Sequence, residues 1–330
     1  MLTNLNLFPP VFLAPMAGIT DTPSREIAQL FNPGLVVSEM IASSEQDKKY
    51  FETTVRSNLS SAQASNKFCP TAIQIAGSES EWMCYAAKII SNEGGDLIDI
   101  NMGCPAKRIV GKLAGSALMR EPVKALKLIE SIVSSSKIPV TLKMRLGWDE
   151  ENINAPIIAK SAQDCGIQMI TIHARTRNQF FKGDARWAMV KKIKENVSIP
   201  IIVNGDIVDV STAEVALKKS CADGIMVGRG TIGKPWLLYE IANRIYEQKK
   251  KENFKNNMLG DLVRFHMKKM LNFYGDDAGI NIFRKHLVGY LNHLNVNKDV
   301  KKSLLIEKSP NALENKIKSL FCRRKLMVEL

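Results

Sequence analysis

The chain has few of the residues that build disulfide frameworks and zinc sites. Its 330 residues include six cysteines and four histidines, and no two cysteines form a Cys-x-x-Cys pair. Neither a disulfide-stapled fold nor a structural zinc site is expected, and we predict no bound metal. This use of cysteine is typical of a protein in the reducing cytoplasm, which is the location we predict.

Long apolar runs and a targeting segment are also missing. No stretch approaches the ~18 uncharged apolar residues of a membrane helix. Residues 1–16 have neither the basic start nor the cleavage site of a signal peptide. We therefore expect no association with a membrane, and nothing in the sequence implies an obligate protein partner.

Acidic residues are outnumbered, and the imbalance is local. The net charge is +13. Residues 1–240 hold 27 Lys and Arg against 24 Asp and Glu, a difference of +3, whereas residues 241–330 hold 19 against 9, a difference of +10. The last quarter of the chain is therefore either a generic basic surface or a module that binds a polyanion.

Eight short runs of β-forming residues recur in the first 230 residues, and segments with helical spacing separate most of them. Parallel strands need such crossover connections, so the alternation predicts a parallel sheet. Eight units on a scale of ~250 residues predict an α/β fold of the closed (β/α)8 TIM-barrel type, with an open doubly wound sheet as the alternative. The predicted strands are 11–14, 35–38, 71–75, 97–100, 140–144, 169–173, 200–203 and 224–227.

After Trp236 the pattern changes to helices alone. Apolar residues recur at helical spacing from Leu259 to Phe273 and again from Phe283 to Leu294. Such stripes usually form the core of a helical bundle. We predict a barrel-shaped catalytic domain at 1–245 and a basic, all-helical domain at 246–330.

Cys104 stands out among the cysteines because of its place in the chain. It follows the fourth predicted strand, and the neighbouring Gly103 and Pro105 end any regular element. A lone cysteine is more often a small buried apolar residue, and we keep that interpretation for the other five. For Cys104 we favour a functional role because chemically active side chains also follow the other strands.

In a barrel, the carboxyl ends of all strands meet at one mouth, where active sites are built. Polar and glycine residues collect at these ends. The candidates are Pro15, Met16 and Ala17 after the first strand, Gln74 in the third, Asn101 after the fourth, Lys143 and Arg145 at the fifth, His173 and Arg175 at the sixth, Asn204, Gly205 and Asp206 at the seventh, and Gly228 and Arg229 at the eighth.

Three of these candidates have distinct chemistry. An ammonium at Lys143 could stabilise negative charge on a reduced cofactor ring. The amide of Gln74 donates and accepts at once, which suits the edge of a heterocycle. His173 is either a structural histidine or a functional one, and we favour function because of its position at a strand end.

Glycines after the last two strands predict a phosphate site. Gly205, Gly228 and Gly230 let backbone N–H groups approach an anion, and Arg229 could add a charged contact. Residues 228–233 also match G-x-G-x-x-G, but no ordered βαβ unit follows. We interpret the match as a monophosphate cradle and not as a dinucleotide fingerprint.

With these motifs the chain resembles the tRNA-dihydrouridine synthases, and most of all the bacterial B-type branch. The resemblance spans nearly the whole length. It depends on Ala14-Pro15-Met16-Ala17-Gly18-Ile19-Thr20-Asp21, Asp99-Ile100-Asn101-Met102-Gly103-Cys104-Pro105, His173-Ala174-Arg175-Thr176-Arg177, Val203-Asn204-Gly205-Asp206-Ile207, Gly228-Arg229-Gly230 and Arg284-Lys285-His286. One departure is the segment 111–115, where the family often has a tighter Gly-x-Gly.

The resemblance implies a flavin-binding barrel and a helical domain that binds tRNA. It implies FMN as cofactor, NADPH as electron donor, and reduction of the C5=C6 bond of particular uridines in tRNA. Cys104 matches the proton donor and Asn101 a residue that holds the uracil, while Arg145 and Arg175 are further candidates for substrate binding. The residues implied to contact or adjoin FMN are Pro15, Met16, Ala17, Gln74, Lys143, His173, Asn204, Gly205, Asp206, Gly228 and Arg229.

Under this hypothesis hydride reaches C6 of the uracil from the reduced flavin, and Cys104 protonates C5. Free thiols are mostly protonated at neutral pH and can act as acids. Two other functions stay open. A flavin oxidoreductase acting on a free pyrimidine or another small molecule would share the barrel but leave the basic tail unexplained. A non-catalytic tRNA-binding protein would leave the strand-end residues unexplained.

Overall fold

Eight parallel strands close into a barrel in the computed structural model, which describes residues 7–43, 48–65, 69–247, 258–294 and 296–328. Closure is direct, because the first strand pairs with the second (Phe12 with Leu35) and with the eighth (Val11 with Ile225). The strands are β1 (Val11–Leu13), β2 (Leu35–Val37), β3 (Thr71–Ala76), β4 (Leu97–Met102), β5 (Val140–Arg145), β6 (Ile170–His173), β7 (Ile201–Asn204) and β8 (Gly224–Val227). The TIM-barrel prediction is confirmed, and the open-sheet alternative is wrong.

The second strand position is divided. β2 pairs with the start of β3, and a separate two-residue strand, Ile41–Ala42, pairs with its end. Between them, the side chain of Glu39 accepts a hydrogen bond from the backbone N–H of Gly18 in the loop after β1. This interruption was not predicted from the sequence.

Helices cover the outside of the barrel and form the C-terminal part of the chain. Their bounds are α1 (Thr22–Gln29), α2 (Lys48–Ser65), α3 (Ser80–Asn92), α4 (Lys107–Val110), α5 (Pro122–Ser135), α6 (Ala155–Asp164), α7 (Trp187–Lys194), α8 (Val210–Ser220), α9 (Leu237–Tyr246), α10 (Leu259–Tyr274), α11 (Asp276–His293), α12 (Lys298–Leu305) and α13 (Pro310–Val328). Short 3-10 turns lie at Gly115–Arg120 and Arg229–Thr231. Within the described ranges, no helix has the length and apolar character to cross a lipid bilayer.

The inside of the barrel is apolar at one end and polar at the other. Side chains alternate along a strand, so every second residue faces inwards. Near the strand starts a separate apolar cluster includes Phe12, Leu35, Ala72, Leu97 and Met226. The inward positions nearer the strand ends are polar instead, at Gln74, Asp99, Asn101, Thr141, Lys143, His173 and Asn204. An apolar plug therefore closes one end, and the polar end forms the site.

The C-terminal helices share a hydrophobic core with the barrel's surface. Ile27 and Phe31, at α1, pack in one cluster with Trp236 and with α10 to α13. Backbones also meet directly: a Cβ atom on Gly289 of α11 would lie 2.8 Å from the backbone nitrogen of Gly233, which follows β8. The domain boundary at 245/246 stays a prediction, and residues 248–257, which follow it, lie outside the described ranges.

A buried polar cluster joins the same elements. Ser24 Oγ of α1 lies 3.3 Å from His266 Nε2 of α10 and 3.1 Å from His286 Nε2 of α11. His266 Nδ1 lies 3.1 Å from the Tyr290 hydroxyl. Polar side chains that are fully buried stay stable only when they are paired in this way.

Candidate active site

A cavity of about 730 Å³ opens at the carboxyl ends of the barrel strands. Every residue predicted for the site, except Arg175, lines it. These residues are Pro15, Met16, Ala17, Gln74, Asn101, Cys104, Lys143, Arg145, His173, Asn204, Gly205, Asp206, Gly228 and Arg229. Side chains that are up to about two hundred positions apart in the chain therefore converge, because parallel strands bring their carboxyl ends together.

The turn that carries Cys104 is held by a chain of side-chain hydrogen bonds. Asn101 Oδ1 accepts from the backbone N–H groups of Gly103, at 3.1 Å, and of Cys104, at 2.9 Å. Asn101 Nδ2 donates to Gln74 Oε1 at 2.8 Å, and Gln74 Nε2 donates to Asp99 Oδ2 at 2.7 Å. Asn101 thus fixes the position of the Cys104 N–H group.

The far side of Cys104 is anchored as well. Its carbonyl oxygen accepts from Ser116 Oγ at 2.8 Å and from the Ser116 N–H at 3.1 Å. Gly115, at φ +59°, comes so close that an added Cβ would lie 3.0 Å from that carbonyl oxygen. Both ends of the Cys104 peptide are therefore fixed, while the residue itself stays partly accessible.

Asp99 is a buried carboxylate at the base of the cavity. Only 2% of the residue is exposed, and Thr141 Oγ1 donates to its Oδ1 at 2.7 Å. Burial raises the pKa of Asp99, and the hydrogen bonds from Gln74 and Thr141 act against that rise. The carboxylate serves as the acceptor that orients the amide of Gln74.

Lys143 presents a buried amine to the cavity. Its Nζ donates to Asn204 Oδ1 at 3.2 Å, and Asn204 Nδ2 donates to the Met226 carbonyl at 2.8 Å. Burial lowers the pKa of Lys143 to about 8, with Asp99 acting in the opposite direction. An anionic group beside this amine would favour its charged form and offset the effect of burial.

Arg145 and Arg175 are both buried, but they occupy different places. Arg145 lines the cavity, yet its Nε donates to the Gly103 carbonyl at 2.7 Å and its Nη1 to the carbonyls of Thr176 and Phe180 at 2.8 and 2.9 Å. Burial lowers the pKa of Arg145 to about 10. Arg145 thereby ties the loop after β6 to the Cys104 turn.

Arg175 lies behind the cavity wall and is 2% exposed. Its Nη2 donates to the Gly183 carbonyl at 2.6 Å and forms an ion pair with Asp206. Asp206 also pairs with Arg229 at 3.3 Å, so one carboxylate joins the wall to the rim. The substrate-binding role given to Arg175 stays a prediction, and its contacts here are with the protein itself.

His173 lies at the cavity wall among cations. Burial, together with Arg145 and other nearby cations, keeps its pKa well below the ordinary value. The imidazole is therefore neutral at pH 7. Its ring lies 6.2 Å from that of Phe181, centroid to centroid. A neutral ring can donate from one nitrogen and accept at the other.

The three glycines predicted to cradle a phosphate differ in their packing. Gly230 is required by the chain, since a Cβ would lie 2.5 Å from the Ile207 carbonyl oxygen, and Gly205 has φ +118°. A Cβ on Gly228 would meet only Ala14 and Met16 side chains at an ordinary 3.6 Å. Of the three, Gly228 alone leaves space that a side chain would fill.

A family profile described as Dihydrouridine synthase (Dus) matches residues 12–323 of the chain. The chain belongs to the dihydrouridine synthase family. It is accordingly an oxidoreductase enzyme, and the family resemblance seen in the sequence is confirmed.

Relatives of this dihydrouridine synthase match over most of their length. A probable tRNA-dihydrouridine synthase from Rhodobacter capsulatus is 48% identical, with 88% of each chain covered. One from Rickettsia prowazekii is 41% identical, with 96% of each covered. The tRNA-dihydrouridine synthase B of Pasteurella multocida is 42% identical over 87% of this chain and 85% of its own.

A solved structure supports the barrel fold. Histamine dehydrogenase from Rhizobium sp. 4-9 superposes with a TM-score of 0.55 at 14% identity, over 82% of this chain and 51% of that one. The chain thus spans about half the length of that protein. At this identity the likeness shows the fold alone.

Some residues that line or support the site of this dihydrouridine synthase were not predicted. Asp99 interrupts an otherwise apolar strand, and that interruption was the available signal. Phe180 and Phe181 line the cavity rim and are 37% and 52% exposed. Two adjacent aromatics in a polar loop were a further signal. Met40 also lines the cavity, but nothing in its sequence context distinguished it.

Proposed function

We propose that this dihydrouridine synthase binds FMN, takes electrons from NADPH and reduces the C5=C6 bond of particular uridines in tRNA. The observation that carries the proposal is the convergence of Cys104, Lys143 and the ends of β7 and β8 on one cavity of about 730 Å³. That volume lies within the usual ~300–1,000 Å³ of cofactor and ligand sites.

The cavity fits a flavin mononucleotide in its donor groups. Lys143, Asn204 and Arg229 offer an ammonium, an amide and a guanidinium to the carbonyl oxygens of a flavin ring and to an anionic phosphate. Ala14, Pro15 and Met16 form an apolar wall for a flat ring. The space left above Gly228 suits close approach of a ligand to the backbone.

Bound FMN, once reduced, would supply the hydride that adds to C6 of the uracil. The chain supplies the rest. The Cys104 thiol donates a proton to C5, which completes the saturated bond, and solvent returns a proton to the sulfur. Asn101, Ser116 and Gly115 hold the Cys104 backbone, so the thiol is placed before the substrate arrives.

Lys143, Arg145 and His173 line the cavity in which negative charge would develop on the reduced flavin ring and on the uracil carbonyl. Preorganised donors and cations in a water-poor site stabilise such charge more than bulk water does. The target uridine must leave the RNA stack to enter the barrel mouth, at a cost of about a few kcal/mol. We assign the basic helical domain, 246–330, to binding the tRNA backbone, and the cytoplasm as the place of action.

The test is a reaction with purified protein, FMN, NADPH and tRNA that lacks dihydrouridine. Dihydrouridine should form at particular uridines, and Cys104→Ala should stay yellow and folded with turnover lower by about 10²–10⁴. Undiminished turnover by Cys104→Ala would overturn the proton-donor role. Reduction of free uridine as efficiently as tRNA would favour the small-molecule oxidoreductase. A colourless protein that binds tRNA would favour the non-catalytic alternative.

A further inference from the structure

Two loops at the barrel mouth are joined edge to edge. The loop after β6 donates two backbone hydrogen bonds to the loop after β5, from the Arg177 N–H to the Gly147 carbonyl and from the Asn178 N–H to the Trp148 carbonyl, both at 2.9 Å. Arg145, whose Nη1 binds the Phe180 carbonyl, ties them to the cavity. The rim is thus a fixed surface and not a loose pair of loops.

This rim carries an Arg–aromatic stack made of Arg120, Trp148, Arg177 and Phe180. The Arg177 guanidinium contacts two rings, at 4.5 Å from the Trp148 centroid and 4.8 Å from that of Phe180. Arg120 lies 4.9 Å from the Trp148 centroid. Glu150, a carboxylate of the same loop, pairs with Arg186 and does not neutralise the stack.

The stack shows two signs of an unmet interaction. Arg177 Nε is buried and has no hydrogen-bond partner among the described residues. Phe180 has φ +51° and is 37% exposed, so a bulky aromatic side chain is held in a disfavoured backbone conformation with its ring open to solvent. Strain of this kind persists where the surroundings impose it, often at binding sites.

The stack is continuous with the cavity. Phe180 and Phe181 both line the cavity that holds Cys104. Arg229 and Arg145 lie 4.9 and 5.7 Å from the Phe181 centroid. Aromatic rings and guanidinium groups therefore form a continuous surface from the cavity that holds Cys104 to the outside of the rim. Successive bases of single-stranded RNA stack on such surfaces, and arginine adds a cation–π contribution.

We propose that the Arg–aromatic stack is a subsite for a nucleotide adjacent to the target uridine, whose base stacks on Phe180 while Arg177 and Arg120 face its backbone. The inference rests on the proposed function, since it requires RNA as substrate. It explains why an exposed ring, a guanidinium in contact with two rings and a hydrogen-bonded rim occur together beside the cavity.

The experiment compares wild type with Phe180→Leu, which keeps apolar bulk but removes the aromatic face, and with Phe180→Trp, which keeps a face. The target uridine is first mapped in the wild-type product. Phe180→Leu should lower kcat/KM for tRNA by about 5- to 150-fold, the range of stacking losses, and Phe180→Trp should recover most of it. Arg244→Ala removes a charge from α9, where Arg244 pairs with Glu214, and serves as the control.

Synthetic tRNAs with an abasic nucleotide on the 5′ or 3′ side of the target supply the deciding measurement. At one of the two positions the abasic change should weaken wild type as much as Phe180→Leu does, and should not weaken Phe180→Leu further. Equal kcat/KM for Phe180→Leu and wild type would overturn the subsite. The subsite would also be overturned if the loss of kcat/KM caused by Phe180→Leu were fully additive with the loss from each abasic change, since Phe180 would then have a structural role only. If wild type reduces no uridine in tRNA, the proposed function itself has failed.

Discussion

At the scale of single residues, Asp99 helps to position Cys104 without touching it. Its carboxylate accepts from Gln74, Gln74 accepts from Asn101, and Asn101 accepts from the Cys104 N–H. An amide can point either way until a neighbour fixes its donor end. Because Asp99 accepts from the Gln74 Nε2, the Gln74 oxygen must point to Asn101. The orientation of Asn101 is fixed in turn, so its oxygen accepts from the Cys104 N–H.

Two substitutions of Asp99 should distinguish its role as a hydrogen-bond acceptor from the role of its negative charge. Asp99→Ala leaves the Gln74 amide without an acceptor and should lower the free energy of unfolding by about 1–3 kcal/mol, with a lower kcat/KM for dihydrouridine formation. Asp99→Asn can still accept from Gln74 and can donate to Thr141 Oγ1, so it should recover most of both. Denaturant unfolding and turnover measure this. An Asn variant as impaired as the Ala variant would show that the charge matters instead.

Lys143 should give the proposed binding of FMN a pH dependence. The pKa of its amine is about 8, so the cation is present below that pH and lost above it. An anionic ligand prefers the cation. The dissociation constant for FMN should therefore stay constant from pH 6 to 8. Above pH 8 it should increase by up to about tenfold per pH unit.

Titration of the apoprotein by flavin fluorescence measures this, and Lys143→Met should bind weakly without the step near pH 8. Lys192→Met, on the exposed face of α7, should keep it. A step that persists in Lys143→Met would assign the titration to another group.

Residue types at the strand ends were predictable, but their partners were not. Alternation and strand counting predict that Asn101 and Arg175 face the mouth end of the barrel. They cannot predict that Asn101 bonds to Gln74 or that Arg175 turns away to Gly183 and Asp206. Such pairings depend on which strands become neighbours, which a single sequence does not state.

At the scale of elements, α1 joins the barrel to the C-terminal helices. Asp21 caps α1 by accepting from the Ser24 N–H at 3.0 Å, and Tyr274 of α10 donates to the same carboxylate at 3.0 Å. A sequence containing Asp21-Thr22-Pro23 predicts a helix start. It does not predict that the helix will face histidines more than 240 positions away.

Acid should weaken this junction. Burial lowers the pKa of His286 to about 4; Asp21 acts against this shift and Lys285 adds to it. Burial and the neighbouring His286 hold the pKa of His266 well below its ordinary value, and the Tyr290 hydroxyl lies beside its ring. Unfolded imidazoles titrate near ~6.5. The unfolded chain therefore binds protons first, and stability falls from about pH 6.5 towards 4 by up to ~1.4 kcal/mol per pH unit for each histidine.

Urea unfolding across this pH range measures the slope. His266→Gln together with His286→Gln should flatten it by up to two protons, whatever their effect on absolute stability. The part of the slope that His173 contributes should remain, because its pKa is also held low by burial and nearby cations. An unchanged slope in the double variant would show that the junction does not titrate.

At the scale of the whole molecule, closure of the barrel could be inferred only from the number of units. The decisive pairing joins Val11 to Ile225, and no local pattern links positions so far apart. The packing of Phe31 against α10 to α13 could not be predicted from the sequence either, since an apolar stripe does not identify the surface that covers it. The charge asymmetry, in contrast, was readable directly from the sequence.

That asymmetry predicts where tRNA is held. Lys298, Lys302 and Lys308 are exposed in the basic C-terminal part. Changing all three to Gln should weaken tRNA binding and reduce the slope of log K against log salt by about 2, since each phosphate contact contributes ~0.7–0.9. Filter binding from 50 to 300 mM salt measures this.

The matched control removes the same charge from the opposite end of the barrel. Lys137, Lys192 and Lys218 are exposed on or after the last turns of α5, α7 and α8, away from the mouth. Their triple change to Gln should leave the salt slope nearly intact. Equal losses from both triple variants would mean that RNA is attracted by total charge and not by a defined face.

Gly233 and Gly289 bring two backbones together with no side chain between them. A Cβ at either position would clash with the other backbone, so this close contact between α11 and the segment after β8 requires glycine on both sides. If the contact keeps the distance from the lysine-bearing helices to the barrel mouth constant, an RNA bound at the helices would present the same nucleotide to the mouth each time. In that case the distance along the folded RNA, and not the nucleotide sequence beside the target, would determine which uridine enters the cavity.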